Sequence, residues 1–188
     1  MRFKETILLL KADCARISSK RINLSTIFYK VLSNAGFRAL FLYRIGRYFN
    51  LKRQGTLASI CQRLMHHLSH CWISVGADIG PGFLIAHVGG LIIGGETRIG
   101  SNCDVRQNIT FGGNFNKTST IGRSQPWLGD NISVGAGAVI LGPISVGSNS
   151  IIGANTVVTR DVPENVIVFG VPGKVIKERW NDDTGRKL

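Results

Sequence analysis

The sequence predicts a mainly β fold, a solenoid of parallel strands wound from six-residue repeats and preceded by a basic α-helical segment. Three observations carry this prediction. Aliphatic residues recur every six positions from about Ile73 onward, glycine is dense in the same stretch, and residues 1–72 follow a 3.6-residue period instead.

In the first segment, Ile7, Leu10, Cys14 and Ile17 make one apolar stripe, and Phe37, Leu40, Phe41, Ile45 and Tyr48 make another. Leu57, Ile60, Cys61, Leu64, Leu68 and Cys71 make a third. Asn34, Gly36, Asn50 and Gly55 punctuate these runs, and Ser25 is placed to cap the segment holding Ile27 and Val31. Three or four short amphipathic helices are expected over 1–72.

In the repeat region, Leu128, Val134, Ile140, Val146, Ile152 and Val158 share one six-residue frame, with Gly129, Gly135, Gly147 and Gly153 directly after four of them. Ile93, Ile99, Val105 and Phe111 share a second frame, and Ile73, Ile79, Ile85 and Leu91 a third, the two offset by a turn expected at Gly94 and Gly95. Each unit supplies one flat strand and one tight corner, so like side chains stack into an internal core and three strands close a triangular coil. Glycine suits corners that need positive φ, and an amphipathic helix would not tolerate this glycine density. The solenoid is assigned to 73–165. The off-period run at 112–127 cannot join a packed core and must protrude as a loop, where binding groups commonly sit. Residues 166–188 read as an extended exit, a short C-terminal helix reaching Trp180, and a polar tail.

Charge is uneven. Of the net +12, residues 1–72 hold thirteen Lys and Arg against only Glu5 and Asp13. Such a face attracts anions, and peripheral contact of the basic helices with the inner face of a membrane is expected. No module or aromatic platform for nucleic acid accompanies it. The N-terminus has no leader-like apolar core, and no run approaches the ~20 apolar residues of a membrane span. Cys14, Cys61, Cys71 and Cys103 are too dispersed for a disulfide framework or zinc cage. A cytoplasmic protein is the expectation. His66 and His70, spaced i, i+4, lack any completing ligand, so no metal is expected.

The strings Ile85-Ala-His-Val-Gly-Gly-Leu-Ile-Ile93, Asn108-Ile-Thr-Phe-Gly-Gly113, Val134-Gly-Ala-Gly-Ala-Val-Ile-Leu-Gly142 and Phe169-Gly-Val-Pro-Gly-Lys-Val-Ile176 together resemble the serine acetyltransferase branch of the bacterial hexapeptide acyltransferases. That branch includes saccharide O-acetyltransferases. The resemblance implies a left-handed parallel β-helix, acetyl-CoA as cosubstrate, and a homotrimer with its active sites between subunits.

His87, the only histidine of the repeat region, matches the branch's first catalytic histidine. A hydroxyl is a poor nucleophile at neutral pH, and imidazole can take its proton and later protonate the leaving thiolate. Gly112, Gly113 and Asn108 are the candidates for oxyanion donors beside the loop. By the same resemblance Ala136, Ala154, Thr159, Arg160, Lys174 and Lys177 would contact acetyl-CoA, the small alanines admitting its pantetheine arm and the cations its phosphates.

The chain also departs from the serine-specific pattern. Ala86 and Trp72 stand where the branch has Asp, and Gln125 takes the place of its second histidine, with Trp127 beside it on the substrate side. Those departures favour a saccharide hydroxyl as the acceptor over free serine, with serine O-acetylation in cysteine biosynthesis and a non-catalytic scaffold as the alternatives. A zinc hydratase on the same scaffold would need several histidines on neighbouring coils, and His87 stands alone.

Overall fold

The computed structural model describes residues 2–19, 21–115 and 117–179. Four helices come first: α1 (Phe3–Ala15), α2 (Leu24–Ser33), α3 (Ala35–Leu51) and α4 (Gly55–Ser69). Short parallel strands then wind around a triangular coil. Its first face stacks Trp72–Ile73, Ile92–Ile93, Thr110–Gly112, Val139–Leu141 and Val157–Val158. The second stacks Asp78–Ile79, Arg98–Ile99, Trp127–Leu128 and Ser145–Val146, and the third Leu84–Ile85, Asp104–Val105, Ser133–Val134 and Ile151–Ile152.

The two-residue strands explain the six-residue period. One residue points out and the next points in, so Ile73, Ile93, Phe111, Ile140 and Val158 line one inner wall, all buried. In-register parallel pairing, Ile93 opposite Phe111 and Phe111 opposite Ile140, stacks these side chains directly. The resulting core is continuous along the coil axis.

Positive φ in the coil is shared between asparagine and glycine. Asn102, Asn131, Asn149 and Asn165 sit at φ 57 to 59°, stacked on the edge between the second and third faces. Their amides form a ladder, Asn131 Nδ2 donating to Asn149 Oδ1 and Asn149 Nδ2 to Asn165 Oδ1, each at 3.0 Å. The glycines after the aliphatic residues have another cause, close stacking of coils. A Cβ on Gly135 would lie 2.5 Å from the Ala154 nitrogen.

Between Trp72 and Val158 the coil departs from period six at two places. From Leu84 to Ile92 the step is eight residues, and from Thr110 to Trp127 it is seventeen. The frame offset therefore falls at 86–91, not at Gly94 and Gly95. Leu91 fills the buried place just before a strand, as Cys71, Ile109 and Ala138 do, instead of the strand's inward position.

The helical cap is bolted to the first coil. Arg44 and Asp13 are fully buried and paired, Arg44 Nε donating to Asp13 Oδ2 at 2.9 Å. Arg44 also donates to the carbonyls of Ile79 and Gly80, and the Phe83 amide donates to Asp13 Oδ1 at 3.0 Å. Burial pushes the Asp13 carboxyl up, partly countered by Arg44 and that amide. Gly36 and Gly46 of α3 admit the Ile85 carbonyl and the Cys61 side chain at distances a Cβ would forbid or crowd.

Three expectations are corrected. In α4 the inward residues are Ala58, Cys61, Met65 and Ser69, whereas Leu57, Ile60, Leu64 and Leu68 are exposed. Packing of α4 on α3 buries the Ala58, Cys61, Met65 and Ser69 face, so the Leu57, Ile60, Leu64 and Leu68 stripe faces out. The cap of α2 is Asn23, whose side chain accepts from the Thr26 amide at 2.8 Å, while Ser25 donates to Asn23. No C-terminal helix forms among the described residues: Val166–Phe169 continues the third face and Lys174–Glu178 returns antiparallel along it. This return strand satisfies backbone groups that a helix would leave open on the sheet edge. Trp180 and the polar tail lie outside the described residues. All four cysteines are free and buried, and among the described residues no helix is long and apolar enough to cross a membrane.

Candidate active site

The two breaks in the period fall on two different edges of the prism. The eight-residue step forms the turn at the edge between the third and first faces and carries His87, which is exposed and makes no hydrogen bond through its ring to any described residue. Successive coils place Asn108, Ala136 and Ala154 on that same edge. The Asn108 amide donates to Gly89 O at 2.8 Å, and the Asn155 amide to Ala136 O at 2.8 Å. Asn108 occupies the left-handed region with φ 58°, and its Oδ1 lies where a Cβ on Gly90 would be, so Gly90 is needed both for its own φ of 65° and for this contact. Asn108 thus props the turn that carries His87. Ala136 and Ala154, flanked by glycines or asparagine, leave that edge without bulky side chains.

The seventeen-residue step lies on the edge between the first and second faces. Gly112, Gly113, Gln125 and Trp127 are there, and Thr159 and Arg160 turn the same edge farther along the coil. The width of the first face, about 13 Å from Asn108 to Gly112 at 3.3 Å per residue, separates these residues from the His87 edge of their own chain. Thr159, Arg160 and Lys174 line a cavity of about 200 Å³, and Lys177 follows on the return strand.

Gln125 is committed to holding the loop down. Its Oε1 accepts from the Glu96 amide at 3.0 Å and from Thr97 Oγ1 at 3.1 Å, and Glu96 in turn accepts from the Ser124 amide and hydroxyl. Those bonds to Ser124 hold the Glu96 carboxyl below its usual range. Trp127 lies between two guanidiniums, Arg98 at 4.2 Å and Arg123 at 4.7 Å from its ring centre. With Arg47 and Asp78 they line a cavity of about 410 Å³. The sequence reading missed this arginine cluster. The only signal for it was the repeat itself, which puts Arg98 and Trp127 at the outward position of neighbouring strands.

Among the described residues, no group of three or more His, Cys, Asp or Glu is placed to hold a metal ion. Burial pushes the cysteine thiols up, Cys103 to about 11, so none is prepared as a thiolate nucleophile. One exposed imidazole beside a smooth, small-residue groove is an arrangement suited to proton transfer from a bound hydroxyl.

The architecture defines a left-handed β-helix of hexapeptide repeats. The family model "Bacterial transferase hexapeptide (six repeats)" matches residues 126–160. The chain is 32% identical over 168 residues to the serine acetyltransferase of Bacillus subtilis, covering 89% of this chain and 76% of that protein. It is 37% identical over 146 residues to that of Synechococcus elongatus, covering 78% of this chain and 59% of that protein. A crystal structure of the Brucella abortus serine acetyltransferase in complex with coenzyme A superposes with a TM-score of 0.82 at 28% identity, covering 93% of this chain and 69% of that one. The chain belongs to the serine acetyltransferase family, and it spans about three fifths of the length of the Synechococcus relative.

These relatives correct the expected acceptor. Departures at Ala86, Trp72 and Gln125 pointed to a saccharide, yet the curated relatives and solved structures compared carry the name serine acetyltransferase. The missing carboxylates change how the site is built; they do not identify a different acceptor.

Proposed function

We propose that this protein is an acetyl-CoA-dependent serine O-acetyltransferase of the cytoplasm that works as a homotrimer, with His87 as general base. The observation that carries the reading is the match to the Bacillus subtilis enzyme over 76% of that enzyme's length. The geometry supports the trimer, because the His87 edge and the loop edge lie on opposite sides of the first face and form one site only when edges of two copies meet. That face is apolar outward, with Trp72 and Ile92 both 45% exposed, as suits a surface that another subunit covers.

In this reading His87 accepts the proton of the serine hydroxyl as it attacks the thioester carbonyl, then returns it to the departing thiolate. Ala86 and Trp72 supply no carboxylate to orient the ring, so the proposal gives that task to a neighbouring subunit. Ala136 and Ala154 let the pantetheine arm lie along the edge. Thr159, Arg160, Lys174 and Lys177 provide hydroxyl and cationic groups suited to its phosphates. The Gly112 and Gly113 amides face the reacting carbonyl from the adjacent subunit.

The test is release of free CoA by the purified full chain with serine, threonine and homoserine as acceptors, with molar mass measured by light scattering. Serine-dependent release by a trimer is expected. Trimer formation with no release from any of them would overturn the catalytic reading and favour a scaffold.

A further inference from the structure

We propose that the outer face of α2 is a docking surface for an anionic lipid bilayer, a property that goes beyond acetyl transfer. The helix is apolar on two sides. Its inner face, through Ile27 and Val31, packs on α1 and α3. Its outer face presents Leu24, Phe28, Tyr29 and Leu32, which are 62 to 69% exposed. Leu24, Phe28 and Leu32 are spaced i, i+4, i+8 and form one stripe. A second apolar stripe on a helix is normally covered as the first is, and no described part of the chain covers this one.

Charge selects the occupant. The 64 residues from Cys14 to Ala77 contain ten Lys and Arg and no Asp or Glu. Arg44 is neutralised by Asp13 and Arg47 by Asp78, but Arg21 and Lys30 beside the stripe form no ion pair with an acidic group among the described residues. Self-association through this patch would set it against itself, bringing like charges together around the apolar contact. An anionic bilayer instead complements the rim while its acyl boundary receives Phe28 and Leu32. A cavity of about 560 Å³ next to the stripe, lined by Ser19, Tyr29 and Lys30 among others, offers the Lys30 ammonium and the Ser19 hydroxyl to a phosphate headgroup.

The outer face of α4 differs in both respects. Leu57, Ile60, Leu64 and Leu68 run on toward Trp72 and the apolar first face of the coil, so that stripe belongs with the subunit contact proposed above. The stripe on α2 has no such continuation. With no helix among the described residues long and apolar enough to cross a membrane, the proposed mode is one of lying on the surface.

The experiment is co-sedimentation of the full chain with vesicles of phosphatidylglycerol and phosphatidylcholine, or of phosphatidylcholine alone, at low and high salt. The Phe28→Ser/Leu32→Ser and Arg21→Glu/Lys30→Glu variants are run alongside. Binding to the anionic vesicles only, lost at high salt and lowered roughly tenfold or more by either variant, is expected. Both variants alter exposed or half-buried positions outside the acetyl-transfer site, so melting and CoA release should match the parent. Three results would overturn the inference: no binding at low salt, equal binding to neutral vesicles, or unchanged binding by the variants. So would a doubling of molar mass that Phe28→Ser/Leu32→Ser abolishes, since that would mean the face pairs with a second copy.

Discussion

The three edges of the prism are built from the same six-residue unit, yet only two of them interrupt it. The edge between the second and third faces keeps its register, carries the asparagine ladder, and receives the helical cap through Arg44, Asp13 and Arg16. Arg16 Nη1 donates to Gly82 O at 3.0 Å and to Asn102 O at 2.9 Å. The other two edges spend extra residues on the His87 turn and on the 113–126 loop. The contrast separates labour: register and burial on the regular edge maintain the fold, and departures from register present the groups to which the proposed function assigns the chemistry.

That division predicts that His87→Ala produces the largest loss of function with almost no loss of fold. Its ring is exposed and makes no hydrogen bond to any described residue. The expected fall in kcat is on the order of 10²–10⁴, with CoA affinity, trimer mass and thermal midpoint nearly unchanged. Steady-state kinetics beside calorimetry reads both quantities, and full turnover in the variant would move the base elsewhere.

The regular edge should behave oppositely. Arg44→Ala leaves the Asp13 carboxylate buried without its partner and removes donors to Ile79 and Gly80. A cost of about 3–5 kcal/mol is expected in chemical denaturation. Replacing the pair together, Arg44→Met with Asp13→Leu, should recover much of it, because the uncompensated charge is the main penalty.

Gln125→Ala tests whether the interrupted edge also needs internal support. It removes the acceptor for the Glu96 amide and the Thr97 hydroxyl, so the loop base loosens at about 1–3 kcal/mol for unsatisfied groups, less where water replaces them. Faster amide exchange around 96–97 and 119–125, with little change elsewhere, is the expected readout.

The repeat was legible because burial of alternate residues in two-residue strands writes itself into the chain every six positions. The stripe at Leu57, Ile60, Leu64 and Leu68 misled because periodicity reports that a face is apolar, not what it faces, and α4 turns its Ala58, Cys61 and Met65 face inward. The 174–178 strand was hidden because Lys174-Val-Ile-Lys-Glu178 suits either structure locally, and the open sheet edge beside it decided the outcome. His87 was singled out because a lone histidine in a turn has no role in the repeat. The Arg98–Trp127–Arg123 stack was not, because it joins residues from separate coils and a loop.

The smallest expected effect is a pH dependence at the junction of cap and coil. Tyr43 is fully buried, its hydroxyl donates to Ala77 O at 2.9 Å, and burial pushes its pKa up to about 12. In the unfolded chain tyrosine ionises near 10. The folded-state pKa is the higher one, so the stability it supports is fully present below pH ~10 and is lost as pH rises from there through about 12. The loss amounts to about 2–3 kcal/mol. Tyr43→Phe should cost about 1 kcal/mol at neutral pH from the missing hydrogen bond and then show a flatter decline above pH ~10. Urea midpoints measured from neutral to alkaline pH for both proteins give the comparison, and parallel declines would mean that some other buried acid controls the alkaline limit.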